Sequence, residues 1–261
     1  MTGMAARKTQ PDSGPTATKQ RRTRKSSYQA PSAPHEVMLS EVLRGTDRFP
    51  ETKQPDFLKH ASEDEGRTDI RLFYAGDLSL LQQPCVAIVG TRDVSEAGAK
   101  RTRRLARELV EAGVVVVSGL AYGVDTVAHT TAIEAGGHTI AVIGTPLDKA
   151  SPAENKHLQE EIYREHLLIS QFADGSRVFP SNFPQRNKLM ATVTDATVVM
   201  EASDTSGTLH QAAECTRLGR WLFIAKSVVD DPSLEWPRKF LKYETCVPLT
   251  DLTDITNRVL K

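Results

Sequence analysis

Phe183-Pro184-Gln185-Arg186-Asn187-Lys188, the run Ala196 to Ala202, and Ser203-Asp204-Thr205-Ser206-Gly207-Thr208 form the stretch from which the rest of the chain can be read. A cationic turn carrying an amide precedes a short, largely apolar, β-branched run, and a hydroxyl-and-glycine turn follows it. Strand length and side-chain type make the run a buried strand. Both turns are expected to open helices, so main-chain N–H groups and positive dipole ends would point the same way as Arg186 and Lys188. Such a grouping suits a phosphate, and several in a row suit a nucleic-acid backbone.

The same grammar repeats outward. Cys85–Val89, Val114–Val117, Thr139–Ile143, Leu167–Phe172 and Trp221–Ala225 are further apolar runs of strand length. They alternate with helical patterns near 95–112, 123–135, 153–166, 183–194 and 206–218. Runs without alternation imply strands covered on both faces, and strand–helix–strand repetition implies a parallel sheet with right-handed crossovers. The fold expected is α/β, a doubly wound, mostly parallel Rossmann-like sheet over 83–261. A short helix near Leu234–Leu241 and an edge strand near Cys246–Leu249 are expected to close it. Residues 35–82 read as a lead-in packing on that domain, with a short helix at His35–Leu43, a turn at 46–50 and an extended segment at Ile70–Gly76.

Charge divides the chain unevenly. Residues 1–34 take seven of the 33 basic side chains and one of the 33 acidic ones, so the remainder carries 26 basic against 32 acidic. Polyanion binding by the body must therefore use a local basic patch on an acidic background. The segment 1–34 is rich in Pro, Ser, Thr, Lys and Arg, and is expected to be a disordered basic tail. Its cluster Arg21-Arg22-Thr23-Arg24-Lys25 reads as a solubilising tail or as an electrostatic contact to nucleic acid. Three scattered cysteines (Cys85, Cys215, Cys246) make neither a disulfide framework nor a zinc signature. With no apolar run of spanning length and no signal-peptide pattern, a soluble cytoplasmic protein without membrane association is expected.

Ligands of a doubly wound sheet sit at the carboxyl ends of its strands. Gly90-Thr91-Arg92, Ser118-Gly119-Leu120-Ala121-Tyr122-Gly123, Gly144-Thr145-Pro146, Asp174-Gly175-Ser176-Arg177 and Ser203 to Thr208 follow the strands in turn. This rim is rich in donors and glycines and poor in general bases. G-x-G-x-x-G and G-x-x-x-x-G-K-[ST] are both absent, as are triads, paired carboxylates and H-E-x-x-H. Phosphate contact is the reading for Arg92, Arg186, Lys188 and the Ser206-Gly207-Thr208 turn, against an ion pair for Arg92 and a plain helix cap for the turn. Asn187 reads equally as a ligand contact or a tie for its turn. Tyr122 and Phe179 are candidates for base stacking, with core packing the alternative for Phe179. His129, in an Ala-rich helix, reads as a packed, hydrogen-bonded histidine. His210 lies nearer the rim without a nameable partner, and Asp125 reads as an acid favouring a helix start.

Ala87-Ile88-Val89-Gly90-Thr91-Arg92, Ser118 through Asp125 with Ala128-His129, Gly136 to Gly144, Glu154-Asn155 and Phe183 to Lys188 together resemble the DprA/Smf DNA-processing family. The resemblance runs in family order from about Leu72 to about Ile255. Lys188 stands for the last arginine of the family's F-P-x-R-N-R motif, and no winged-helix pattern is legible. What the resemblance implies is a cytoplasmic bacterial protein that binds single-stranded DNA and loads a RecA-type recombinase during natural transformation. It also implies a homodimer, with no catalytic reaction and no cofactor. Gly90, Thr91, Arg92, Ser118, Gly119, Arg186, Asn187, Lys188 and Ser206–Thr208 are then the expected DNA-phosphate contacts.

Two other readings remain at this stage. One is a nucleoside-monophosphate phosphoribohydrolase of the related Lonely-guy-like group. That group's P-G-G-x-G-T-x-x-E motif puts a catalytic glutamate where Gln211 stands, and an amide cannot act as a general base. The other is a nucleotide-binding sensor using the same pocket.

Overall fold

The structure, a computed structural model, describes residues 28–48 and 69–260. One nine-stranded sheet organises it. Its strands are β1 (His35–Met38), β2 (Arg71–Gly76), β3 (Cys85–Gly90), β4 (Val115–Ser118) and β5 (Thr139–Val142), followed by β6 (Leu167–Ser170), β7 (Ala196–Glu201), β8 (Trp221–Ala225) and β9 (Cys246–Leu249). They lie in the order β1-β2-β6-β5-β4-β3-β7-β8-β9. From β6 to β9 every pairing is parallel, whereas β1–β2 and β2–β6 are antiparallel. The expected doubly wound, mostly parallel sheet is present.

Sequence explains the layers. Cys85 to Val89 are buried on both faces of the sheet, as are all four residues of β4, β5 and β6. Each wholly buried Val, Ile or Leu contributes about 1.5–3 kcal/mol relative to exposure, so these central strands carry much of the stability. The long helices are α2 (Glu96–Glu111), α3 (Val124–Glu134), α4 (Lys156–Glu165), α5 (Asn182–Thr192) and α6 (Thr208–Arg217), with α1 (Leu39–Leu43) preceding them. Ser95 caps α2 by accepting from Gly98 N at 3.0 Å, and Gly113 at φ +73° ends its turn before β4. Leu105, Ala106 and Leu109 of α2 are buried while Arg103, Arg104 and Arg107 face water. Helix α2 packs beside α3, and α5 beside α6. Right-handed crossovers place the two pairs on opposite faces.

Several expectations need correction outside the parallel core. His35–Leu43 is β1 followed by α1 rather than a single helix. His35-Glu36-Val37-Met38, two polar residues followed by two apolar ones, is held as a strand by pairing with β2, in register His35↔Tyr74 to Met38↔Arg71. Residues 35–82 are thus more than a lead-in, because β1 and β2 extend the sheet itself. The turn expected at 46–50 lies outside the described residues from Phe49 on. Residues 1–27 of the expected tail also lie outside them. From Tyr28, however, the chain is placed on the body: Tyr28 Oη donates to Leu147 O at 2.8 Å and Tyr163 Oη to Gln29 O at 2.9 Å. The aromatic ring and main chain there find partners that composition alone does not reveal. Beyond β8 come the short helices α7 (Lys226–Val229) and α8 (Trp236–Phe240), then β9 and α9 (Thr253–Val259).

Candidate functional site

Strand order reverses between β3 and β7: the chain moves outward from β3 through β4 and β5 to β6, then returns to place β7 on the other flank of β3. That is the topological switch point, where a crevice opens beyond the carboxyl ends. The two strands also fall out of step there. Val89 pairs with Val199 but Gly90 with Glu201, leaving Met200 as a bulge. A cavity of about 460 Å³ lies at this point, lined among others by Gly90, Thr91, Arg92, Asn187, Gly207 and His210.

Tight packing builds its walls. A Cβ on Gly90 would come within 2.5 Å of Val124 Cγ2, and one on Gly123, at φ +73°, within 2.3 Å of Thr91 O. The first βα turn is consequently pressed against the start of α3. Glycine is required at both places because the backbones touch. Leu120 sits at φ +59° with its side chain wholly buried. A left-handed leucine costs about 1–3 kcal/mol. Here the loop is held from both sides, since Asn155 Nδ2 donates to Leu120 O at 2.9 Å and to Thr126 Oγ1 at 2.8 Å.

Arg186 lines the floor of the cavity rather than its lip. It is 7% exposed, and its Nη1 donates to Val142 O at 3.1 Å and also to Gly119 O. Its Nε donates to Asn187 Oδ1 at 2.8 Å. Asp125 is buried nearby, accepting from Gly119 N at 3.2 Å and Ala121 N at 3.3 Å. Burial pushes the Asp125 carboxyl up, against the pull of Arg186 and the two amides. Burial likewise draws Arg186 down, against Asp125 and with the help of Arg92. A guanidinium keeps its proton regardless. Arg186 therefore ties the ends of β4 and β5 together and lends the cavity a fixed positive charge from below.

The expected contacts separate accordingly. Gly90, Thr91, Arg92, Asn187, Ser206, Gly207 and Thr208 line the cavity, as does Arg186 at its floor. Ser118 and Gly119 do not line it. The Ser118 hydroxyl is buried and donates to Ile88 O at 2.7 Å, while a Cβ on Gly119 would fall 1.7 Å from Arg186 Nη1. Gly119 is thus glycine to admit an arginine, not a ligand. Lys188 is exposed but two residues along α5 from Arg186, and it lies outside the cavity lining. Asn187 Nδ2 donates to Gly207 O at 3.4 Å, so the tying role is real and joins α5 to the turn before α6. Within that turn Ser206 Oγ donates to Thr208 Oγ1 at 2.9 Å and Thr208 Oγ1 to Gly90 O at 3.2 Å. Both hydroxyl protons are thus spent within the protein, and Thr208 N donates to Ser206 Oγ at 3.2 Å, so what the turn presents is the amino end of a ten-residue helix, the positive end of its dipole.

Tyr122 is 42% exposed, with its hydroxyl donating to Glu154; Phe179 is 48% exposed beneath the Arg177 guanidinium at 5.3 Å. Phe179 is consequently not a core residue, although neither ring lines the cavity. His129 is wholly buried, with Nδ1 at 2.7 Å from Thr139 Oγ1, and burial pushes its pKa down to about 3. It is a packed histidine, as read. Sequence reasoning underrated His210 and Phe183, both of which line the cavity. For His210 the signal was its place two residues into α6; Phe183 instead packs so close to Gly144 that a Cβ there would lie 2.9 Å from its ring, a contact no sequence pattern shows. Gln211 is buried, its side-chain amide 3.2 Å from Thr197 Oγ1.

A switch-point crevice with an exposed arginine, a buried arginine at its floor and a helix amino end beside it marks an α/β protein of the doubly wound, Rossmann-like class. Residues 44–259 match the family model of DNA recombination-mediator protein A. The chain belongs to that family. It is 43% identical over 162 residues to the DNA processing protein DprA of Streptococcus pneumoniae, which covers 62% of this chain and 57% of that protein. It is 41% identical over 156 residues to the Smf protein of Synechocystis, covering 58% of this chain and 39% of the relative. This chain thus spans only part of the length of these relatives. The crystal structure of the pneumococcal protein superposes with a TM-score of 0.71 at 33% identity, covering 87% of this chain and 75% of that one. The DNA processing protein A of Helicobacter pylori, whose structure concerns its mode of binding single-stranded DNA, gives 0.69 at 25% identity over 90% and 98%.

Proposed function

We propose that this chain binds single-stranded DNA at the switch-point cavity and acts, without catalysis, as a recombination mediator that hands the strand to a RecA-type recombinase. One observation carries the reading: Arg92 and the amino end of α6 open onto one cavity whose floor holds the Arg186 charge. Phosphates are held and bases are read weakly, so affinity falls steeply with salt. Fluorescence anisotropy on an oligo-dT strand tests it. Arg92→Ala weakens binding and lowers the salt slope by about 0.7, the share of one phosphate contact on a single strand; unchanged affinity removes the assignment. A homodimer belongs to the same reading and is checked by sedimentation equilibrium. Three buried free thiols suit the reducing cytoplasm in which this work would be done.

A second reading rests on volume. About 460 Å³ is the size of a small-ligand pocket, so a single nucleotide is the rival occupant. Nucleotide that raises the melting temperature where oligo-dT does not would favour it. Hydrolysis of such a nucleotide is not part of either reading, because Gln211 stands where a Lonely-guy-like enzyme carries its glutamate. Release of adenine from AMP would contradict that.

A further inference from the structure

Helix α2 departs from the charge balance of the chain around it. Residues 97–107 hold Lys100, Arg101, Arg103, Arg104 and Arg107 and no acid, whereas the chain from residue 35 on carries 26 basic side chains against 32 acidic. A helix face that is merely solvated mixes both signs. Gly98, Ala99, Thr102, Leu105, Ala106 and Leu109 bury one side of α2. At 3.6 residues per turn the opposite side holds Lys100, Arg103 and Arg107, spaced i, i+3 and i+7, and all three are exposed. Arg104 Nε donates to Glu108 Oε1 at 2.7 Å, and Arg101 Nη2 lies 3.9 Å from Glu201 Oε2. Among the described residues no carboxylate stands within ion-pair distance of Lys100, Arg103 or Arg107. Like charges three and four apart disfavour a helix, so this stripe works against folding unless an anion meets it.

The stripe begins at the cavity. Helix α2 opens four residues after Arg92 and runs from the carboxyl edge of the sheet toward the amino edge, since β4 returns parallel to β3. A second cavity, of about 410 Å³, adjoins the first: Thr91 and Ser203 line both, and Ser95 and Arg101 line the second. Glu201 and Asp231 also line this second cavity, so the phosphate seats lie beyond it, on the acid-free stripe. A cationic path thus leads from Arg92 past Arg101 to Lys100 and on to Arg107, a rise along the helix of about 10 Å from Lys100. We propose that Lys100, Arg103 and Arg107 form a second phosphate-binding surface, which takes up the single strand as it leaves the switch-point cavity. This rests on the DNA-binding reading above. Neighbours on the stripe stand about 5–6 Å apart, so its charges follow a backbone rather than converge on one phosphate. Contacts to phosphate alone add affinity without sequence preference.

The test uses the full chain, unaltered and as K100Q/R103Q/R107Q, with K100R/R103K/R107K as the charge-keeping control. Glutamine retains helix propensity, and melting temperature checks folding. Anisotropy is read across a salt series on oligo-dT of about four and about twenty nucleotides, the short and long sides of ordinary single-strand site sizes. On the longer strand, neutralising three phosphate contacts lowers the magnitude of the slope of log K against log salt by about 2 and weakens binding several-fold at physiological salt. On the shorter strand the glutamine variant matches the unaltered chain, and the charge-keeping variant matches it on both. An unchanged slope and affinity on the longer strand overturns the inference and leaves the cavity reading intact. Equal losses on both strands also overturn it, because the stripe would then act as a general field and not as a continuation of the path. Unchanged DNA binding with lost binding to vesicles of anionic lipid would assign the stripe to a membrane surface instead. Absence of binding by the unaltered chain on either strand removes the parent reading, and this surface with it.

Discussion

Arg92 and Arg186 share one cavity but do different work, and single substitutions separate them. Arg186 is buried, bonded to two strand-end carbonyls and electrostatically coupled to Asp125. Removing it orphans those acceptors and leaves a buried carboxyl without its counter-charge, which costs about 3–5 kcal/mol. Arg186→Ala should therefore shift the urea midpoint strongly and lose binding through instability. Arg92→Ala should move stability by less than about 0.5 kcal/mol and act on binding alone. A urea titration of each variant checks the contrast. His129 gives a second residue-scale expectation. Its folded pKa, about 3, lies below the ordinary 6.5, so the folded state favours neutral imidazole. Its contribution is complete above pH 6.5 and is lost as pH falls from there toward 3, at up to about 1.4 kcal/mol per unit. The unaltered chain should lose stability over that window faster than His129→Asn, measured as the difference between their urea curves; parallel curves would contradict it.

At the scale of elements, the parallel core was open to reading because its strands are apolar on both faces and α2, α3 and α6 end in glycine, at Gly113, Gly136 and Gly219. Six strands and five long helices fall within a few residues of where the pattern places them. Of the antiparallel edge, the extended segment at Ile70–Gly76 was legible and is β2, but β1 was hidden, since four residues such as His35–Met38 have too little periodicity to tell strand from helix; only the partner β2 decides. The same limit applied to the site. Which residues cluster at the rim follows from topology, but whether a side chain is spent internally does not. Ser118 and Gly119 sit in the right loop, yet one hydroxyl turns to Ile88 and the glycine makes room for Arg186. The knot joining the early segment to the core was equally invisible. Arg48 is buried, donates to Val193 O at 3.1 Å and lies 3.5 Å from Asp195, which itself accepts from Cys85 N at 2.8 Å. Arg48→Ala should cost about 3–5 kcal/mol by leaving Asp195 without its partner. Chemical denaturation that finds less than about 1 kcal/mol would show the knot to be dispensable.

For the molecule as a whole, the charge balance decides how any strand is held. On the proposed reading, an acidic body with a cationic crevice would attract DNA only locally, and affinity is expected to depend on a few placed contacts rather than on overall field. Among the described residues no helix is long and apolar enough to cross a membrane. The most direct measurement is anisotropy of the full chain with oligo-dT and with duplex of equal length, across a salt series, repeated for Arg92→Ala. The account predicts preference for the single strand, a steep inverse dependence on salt, and a weaker, shallower response in the variant. Equal affinity for both DNAs that is indifferent to salt and to Arg92 would contradict it.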